Sequence, residues 1–267
     1  MKSTPIPPNT NSAYLIKRFL FLEAAYEHEV IEDKYIPDGH MTFVFNFEGK
    51  VQVSNKNTCY PLPPYFIVIP AMHSLKIRTF PPMDSMIVLC KASVLTRIFD
   101  IDLTQHSSQP FIDGQHLVPN ELWLEMKSKP NKRQQLFEDF ISNKISRPYR
   151  SDNIDTCYQN ILESKGETQV NALLKQLDIN PRSFRRNFLS RVGINAKTLS
   201  RVVRINYLWD CYLKGKKADF QNMVYDGNYY DQAHLIHDFK KIVGEAPSHF
   251  FNKEQEKLIF ISGKIVN

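Results

Sequence analysis

Residues Gln169 to Val192, QVNALLKQLDINPRSFRRNFLSRV, constrain this chain more than any other stretch. Val170, Leu173, Leu174 and Leu177 fall at i, i+3, i+4 and i+7, which lays one apolar stripe along a short helix. Asp178, Ile179 and Asn180 interrupt the stripe. Asn180 offers a side-chain oxygen as N-cap, and Pro181 takes the first helical position, where a missing N–H costs nothing. The next helix buries Phe184, Phe188 and Val192, while Arg182 and Arg186 point away from that side and Arg185 lies on its flank. Two short helices joined in this way suit a helix-turn-helix whose second helix enters a DNA major groove. They suit equally an ordinary helical hairpin with a solvated basic face.

Repetition separates the two. Shifted by 51 positions, Phe184 falls on Leu235, Phe188 on Phe239, Val192 on Val243, Gly193 on Gly244, Ala196 on Pro247 and Leu199 on Phe250. Outward residues differ: Arg182 becomes Ala233, Ser183 becomes His234 and Arg186 becomes His237. A duplicated scaffold with altered outer faces suits two readers of two base sequences. Between them, Ala196 to Leu213 predicts one helix of 18 residues, capped by Asn195 and stopped at Gly215. At 1.5 Å per residue it spans about 27 Å, close to one turn of B-DNA at about 34 Å. Leu199, Val202, Val203, Asn206 and Trp209 form its buried stripe.

Charge follows the same division. Residues 1–143 carry 14 Lys/Arg against 15 Asp/Glu, and residues 144–267 carry 20 against 13. No acidic residue lies between Asp178 and Asp210, where Arg182, Arg185, Arg186, Arg191, Lys197, Arg201 and Arg204 form a footprint for a polyanion.

The N-terminal half reads as strands. Tyr14–Leu22 fits helix or strand, and Tyr35–Gly39 is a turn. Met41–Glu48 predicts a strand with Met41, Phe43, Phe45 and Phe47 on one face, turned at Glu48-Gly49-Lys50 into Val51–Ser54. Tyr65–Ile69, Ser74–Phe80 and Met86–Cys90 follow, separated by Pro-containing turns, which suggests a small barrel or double-sheet roll. Ser93–Phe99 predicts a helix capped by Ser93. From about 117 the pattern is helical, over Leu117–Lys127 and Lys132–Ile145. The stripe of Leu136, Phe137, Phe140 and Ile141 would pack on the barrel or meet its twin in a homodimer. Arg147-Pro148-Tyr149 reads as a linker and Asn153–Ser164 as a helix, while the tail, notably Leu258–Ile261, gives no pattern.

The runs INPRSFRRNFLSRVGINAKTLSRVVRI and YYDQAHLIHDFKKIVGEAPSHF resemble the DNA-binding domain of the AraC/XylS transcriptional regulators, over roughly 152 to 251. Asp231–His234, Phe239-Lys240, Gly244 and Pro247 sit at that family's spacing. The resemblance implies two helix-turn-helix subdomains joined by a long helix, with two recognition helices in successive major grooves of double-stranded DNA. Positions matching its base-reading residues are Arg182, Arg185 and Arg186, then Gln232, Ala233, His234 and His237. With Ser183, these are the candidate DNA-binding residues. Three departures stand out: Asn228 replaces a usual glycine, Ala196 a frequent proline and His237 a frequent arginine. The N-terminal half resembles the barrel-like sensory domains of such regulators, best at Pro37-Asp38-Gly39, and domains of that build bind a small effector or dimerise.

The expected fold is therefore α+β in two domains. Residues 1–146 would form a small β-barrel or cupin-like roll with flanking helices, 150–253 an all-α DNA-binding domain and 254–267 a tail. The expected function is a sequence-specific transcription regulator modulated by a small effector, with a ligand-independent dimeric regulator as the alternative. A metalloenzyme would need His28, His40, His73 and Glu48 to converge, but no H-x-H or H-x-x-x-H spacing exists to seat two imidazoles on one metal. No G-x-S-x-G, P-loop or dinucleotide fingerprint occurs. We expect no catalytic residue, metal or cofactor. The polar, Pro-rich start MKSTPIPPNTNS is unlike a secretory signal, no apolar run reaches the ~20 residues of a membrane span, and the scattered Cys59, Cys90, Cys157 and Cys211 read as buried thiols. These point to a cytoplasmic protein.

Overall fold

Phe43 and Phe45 point one way along their strand while Thr42, Val44 and Asn46 point the other, and this alternation organises the N-terminal half. The computed structural model describes residues 2–25, 29–55, 58–106, 111–145, 148–215, 220–253, 262 and 264. Among the described residues eight strands form one antiparallel sheet: β1 (Lys2–Ile6), β2 (Ile16–Ala24), β3 (Ile31–Tyr35), β4 (Met41–Asn55), β5 (Thr58–Pro61), β6 (Tyr65–Val68), β7 (Leu75–Cys90) and β8 (Phe111–Asp113). Their order is β1-β2-β7-β4-β6-β8, with β3 added to β7 and β5 to β4. The ambiguous Tyr14–Leu22 stretch is thus a strand from Ile16 onward, with the adjacent residues Phe19 and Leu20 both buried, on opposite faces.

Two expected turns are absent. Glu48-Gly49-Lys50 does not end the strand: β4 runs through it, and the ladder to β7 shifts register between Asn46 and Lys50. A bulge absorbs the turn residues and bends the strand instead. Likewise β7 continues through the cis Pro81-Pro82 pair, so Ser74–Phe80 and Met86–Cys90 are two ends of one strand.

One face of the roll carries Phe19, Met41, Phe43, Phe45, Met86 and Val88. It is covered by α1 (Ala92–Ile98), α2 (Asn120–Ser128) and α3 (Arg133–Lys144). The α3 stripe packs in cis: Phe137 meets Phe43 at 5.1 Å, Phe45 at 5.6 Å and Phe19 at 6.1 Å between ring centroids. Ser93 is not the cap of α1; that position is Lys91, and Ser93 is fully buried. Cys90, Cys157 and Cys211 are buried as expected, but Cys59 is exposed on the outlying β5.

The C-terminal half is helical: α4 (Asn153–Glu163), α5 (Val170–Gln176), α6 (Pro181–Val192), α7 (Ala196–Leu213), α8 (Phe220–Asp226), α9 (Gln232–Val243) and α10 (Pro247–Asn252). The proposed linker is pinned rather than loose. Tyr149 stacks on Tyr14 at 5.4 Å and its hydroxyl donates to Asp155 at 2.6 Å; Arg147 lies outside the described residues. Leu258–Ile261 also lies outside them. No helix among the described residues is long and apolar enough to cross a membrane.

Candidate nucleic-acid interface

Local chemistry starts and stops the two candidate reading helices. The Asn180 side chain accepts from the N–H groups of Arg182 (2.9 Å) and Ser183 (3.1 Å) at the head of α6, with Pro181 at the first position. Asp231 accepts from His234 N at 2.8 Å at the head of α9. Both helices end on a glycine in the left-handed region, Gly193 (φ 79°) and Gly244 (φ 83°), a backbone conformation costly for residues with a Cβ. Asn228, replacing a glycine before α9, takes the same region at φ 48°. The 51-residue repeat is therefore structural, down to its caps.

The inward faces match the sequence pattern. Phe184, Phe188 and Val192 are buried on α6, and Leu235, Phe239 and Val243 on α9. All eight candidate residues face outward and are exposed: Arg182, Ser183, Arg185 and Arg186 on α6, then Gln232, Ala233, His234 and His237 on α9. The connector α7 has the predicted bounds and its Asn195 cap, and its Leu199, Val202, Asn206 and Trp209 are buried. Between α5, α6, α7 and α9 lies a cleft of about 970 Å³ lined by Arg185, Lys197, Arg201, Arg204 and His234.

Counting arginines overstated the footprint. Arg191 reaches Asp155 and Asp152, both at 2.6 Å, and donates to the Ser93 carbonyl on α1 at 2.6 Å. It fastens α6 to the β half and is taken from any polyanion. Asp155 is nearly buried and also receives Arg97 at 3.1 Å, so α1, α4 and α6 share one ion network. Burial works to raise the Asp152 pKa, but hydrogen bonding to the Asp155 backbone and the Arg191 charge outweigh it and hold it low.

The far end of α9 is fastened as well. Ser74 donates from its hydroxyl to Val243 O (2.9 Å) and from its N–H to Ile242 O (2.8 Å), His73 Nδ1 lies 2.6 Å from Lys241 O, and Lys34 pairs with Glu245 at 2.6 Å. The expected-turn residues Pro37-Asp38-Gly39 dock on the connector and on α4: Asn206 donates to Pro37 O at 2.6 Å, and the Tyr158 hydroxyl of α4 to Gly39 O at 2.9 Å. None of these contacts was legible in the sequence, because each pairs residues more than a hundred positions apart.

Glu245 carries a testable pH signature. Burial alone would raise its pKa, but hydrogen bonds from Lys34, His249 and Lys253 pull it from 4.5 to about 2. A carboxylate depressed in the folded state adds stability above its unfolded pKa and loses it as pH falls through the folded one. Acid denaturation curves should therefore steepen between about pH 4.5 and 2, and Glu245→Gln should flatten that segment. Superimposable curves for the two proteins would refute the assignment.

The other face of the roll surrounds a cavity of about 440 Å³. Its walls are Leu20, Leu22, Val44, Val51, Phe66, Val68, Met83 and Leu89, the alternate residues to those under the helices. Its polar lining comes from both halves of the chain: Lys17, Arg18, Lys214 and Asn206, with Lys264 paired to Asp210 at 2.7 Å and His40 to Asp38 at 3.1 Å. Burial holds the His40 and Lys264 pKa values below their ordinary ranges. The sequence could not separate a packed interior from a pocket, and the structure has a pocket.

Residues 173–253 match the family model described as a helix-turn-helix domain. No curated protein sequence matches the chain significantly. Among solved structures it is similar to ToxT from Vibrio cholerae, at 12% identity and TM-score 0.48 over 87% of this chain and 97% of that one. It is also similar to unsaturated fatty acid bound ToxT from Vibrio cholerae strain SCE256 (14%, TM-score 0.44, 92% and 96%). The AraC-like transcriptional activator CuxR is a further similar structure (10%, TM-score 0.34, 85% and 98%). With two capped helices joined through one connector, residues 173–253 of this chain form a helix-turn-helix domain.

Proposed function

We propose that the chain is a sequence-specific transcription regulator that reads two successive major grooves with α6 and α9, under control of a small effector held in the roll. The observation that carries the DNA reading is the pair of capped helices with eight exposed residues on their outer faces. The first helix offers three arginines, and arginine forms paired hydrogen bonds to guanine O6 and N7. The second offers Gln232, which suits the adenine edge. The first helix should dominate affinity. The effector reading rests on the cavity, whose apolar walls and polar mouth, where Lys17, Arg18, Lys165, Lys214 and Lys264 outnumber Asp38 and Asp210, suit an amphipathic molecule with an acidic end. Because that mouth includes Asn206, Lys214 and Lys264 from the DNA-binding side, a ligand there would bear directly on the connector.

Selecting bound duplexes from a random pool tests the reading, at one fixed salt because phosphate contacts make affinity salt-dependent. A recovered motif with two half-sites about one turn apart is expected. Arg186→Ala should then cost about 1–3 kcal/mol and relax preference at one or two base pairs. Loss by one common factor across all single-base variants would assign Arg186 to phosphate. Native mass spectrometry showing no bound small molecule, with DNA affinity unchanged on blocking the cavity, would remove the effector.

A further inference from the structure

We propose that Asp238 is a positioning residue that sets which base edge the second reading helix recognises, by fixing the ring tautomer of His234. This rests on the reading of α9 as a base-contacting helix. Asp238 follows His234 by one turn, so its carboxylate lies beneath the imidazole. It is 1% exposed, a rare environment for a carboxylate, and neither oxygen accepts a well-formed hydrogen bond. Its Oδ2 faces two donors only, among the described contacts: Arg201 Nε on the connector at 3.4 Å and His234 Nε2 at 3.6 Å. A buried carboxylate without donors is costly, so it favours any neighbouring N–H that can satisfy it.

Arginine is always protonated, but a neutral imidazole carries one hydrogen and must place it on one nitrogen. The carboxylate draws that hydrogen to Nε2, which strips Nδ1 and makes it an acceptor. The ring is also held in orientation. Tyr229 meets it edge-on at 5.1 Å and 84°, and Tyr229 is itself covered by the Arg204 guanidinium at 5.0 Å. With its side chain 44% exposed, His234 remains open to a ligand while Nε2 faces Asp238. In the major groove an acceptor pairs with the amino group of adenine N6 or cytosine N4. It is repelled by guanine O6 and N7 and by thymine O4. His234 therefore selects adenine or cytosine, and it does so because Asp238 lies under it.

Two measurements on the full chain decide this. Histidine-resolved 15N spectra of the free protein at alkaline pH, where imidazoles are neutral, should show His234 as the Nε2–H tautomer, and Asp238→Leu should abolish that bias. An Nδ1–H tautomer in the wild type overturns the proposal, with no DNA involved. In duplex selection, the base pair read by His234 is the one whose preference His234→Ala erases, and it should be adenine or cytosine. Asp238→Leu should cut that preference about fivefold, the worth of one hydrogen bond, while leaving other positions unchanged. Arg201→Gln, which removes the other partner, should keep it. A guanine preference, or an equal loss at every position in Asp238→Leu, overturns the proposal. A wild type that recovers no motif instead refutes DNA reading itself, and the spectra still rule on the tautomer.

Discussion

Phe188→Ala is expected to destabilise the protein by about 3–5 kcal/mol, the cost of a buried phenylalanine cavity. Phe188 is fully buried, 5.2 Å from Phe184 between ring centroids. Its repeat partner Phe239 is 1% exposed and meets Phe250 at 5.4 Å and Phe251 at 5.5 Å, so Phe239→Ala should cost a similar amount. How the two variants melt should differ. Phe188 belongs to an apolar cluster that runs from the first helix-turn-helix into the sheet, through Leu95 and Leu103 to Phe43. Phe239 belongs to a separate cluster built on Trp209, Leu208 and Phe250. Phe188→Ala should lower one common transition, whereas Phe239→Ala should loosen α9 and α10 first. Hydrogen exchange resolves the difference, since protection would fall locally in one variant and throughout in the other. Unchanged melting midpoints in both would mean that the wrong helix faces have been taken as buried.

Asp155→Ala is the second change of large expected effect, again about 3–5 kcal/mol, as for breaking a buried ion pair from one side. The carboxylate accepts from Arg191 (2.6 Å), the Tyr149 hydroxyl (2.6 Å), Arg97 (3.1 Å) and the Asp152 N–H (3.1 Å). Removing it strips a partner from Arg191, whose side chain is only 14% exposed, and opens the capping box that starts α4. The cost is largely that of uncompensated charge, so Arg191→Ala added to Asp155→Ala should cost much less than the two single changes together. Denaturant midpoints of the two single variants and the double variant measure the coupling. Simple additivity would show that the two side chains do not act as a unit.

The helical half was legible because its signals are local. Asn180-Pro181, the i, i+4 spacing of Phe184 and Phe188, and Gly193 each act within one or two turns, and the repeat at Asp231, Leu235, Phe239 and Gly244 doubled the cap, spacing and stop signals, leaving only the proline single. The sheet was legible only in outline. Glu48-Gly49-Lys50 and Pro81-Pro82 are turn chemistry by composition, yet the pairing of β4 with β7 on either side carries both strands through. Pairing partners tens of residues apart leave no local trace. Arg191 was misread for a related reason: its charge is visible in sequence, but its partners Asp152 and Asp155 come from another helix. Asp238 did leave a signal, a carboxylate four residues after His234 on a candidate reading helix, and only the structure shows that it is buried.

Ser93 and Thr96 hold the tail end of α6, and Lys34, His73 and Ser74 hold the tail end of α9. All five belong to the same roll, which thereby acts as a caliper set to one opening. Each base pair inserted between two half-sites turns the second by roughly 34–36° about the DNA axis and moves it about 3.4 Å along it. If α6 and α9 read two half-sites as proposed, helices fastened in this way do not follow such a change, and a mis-spaced operator would be accommodated by twisting the duplex. Tolerance to spacing then becomes a property of the DNA between the half-sites, greatest where flexible pyrimidine–purine steps lie there and least across a stiff A-tract.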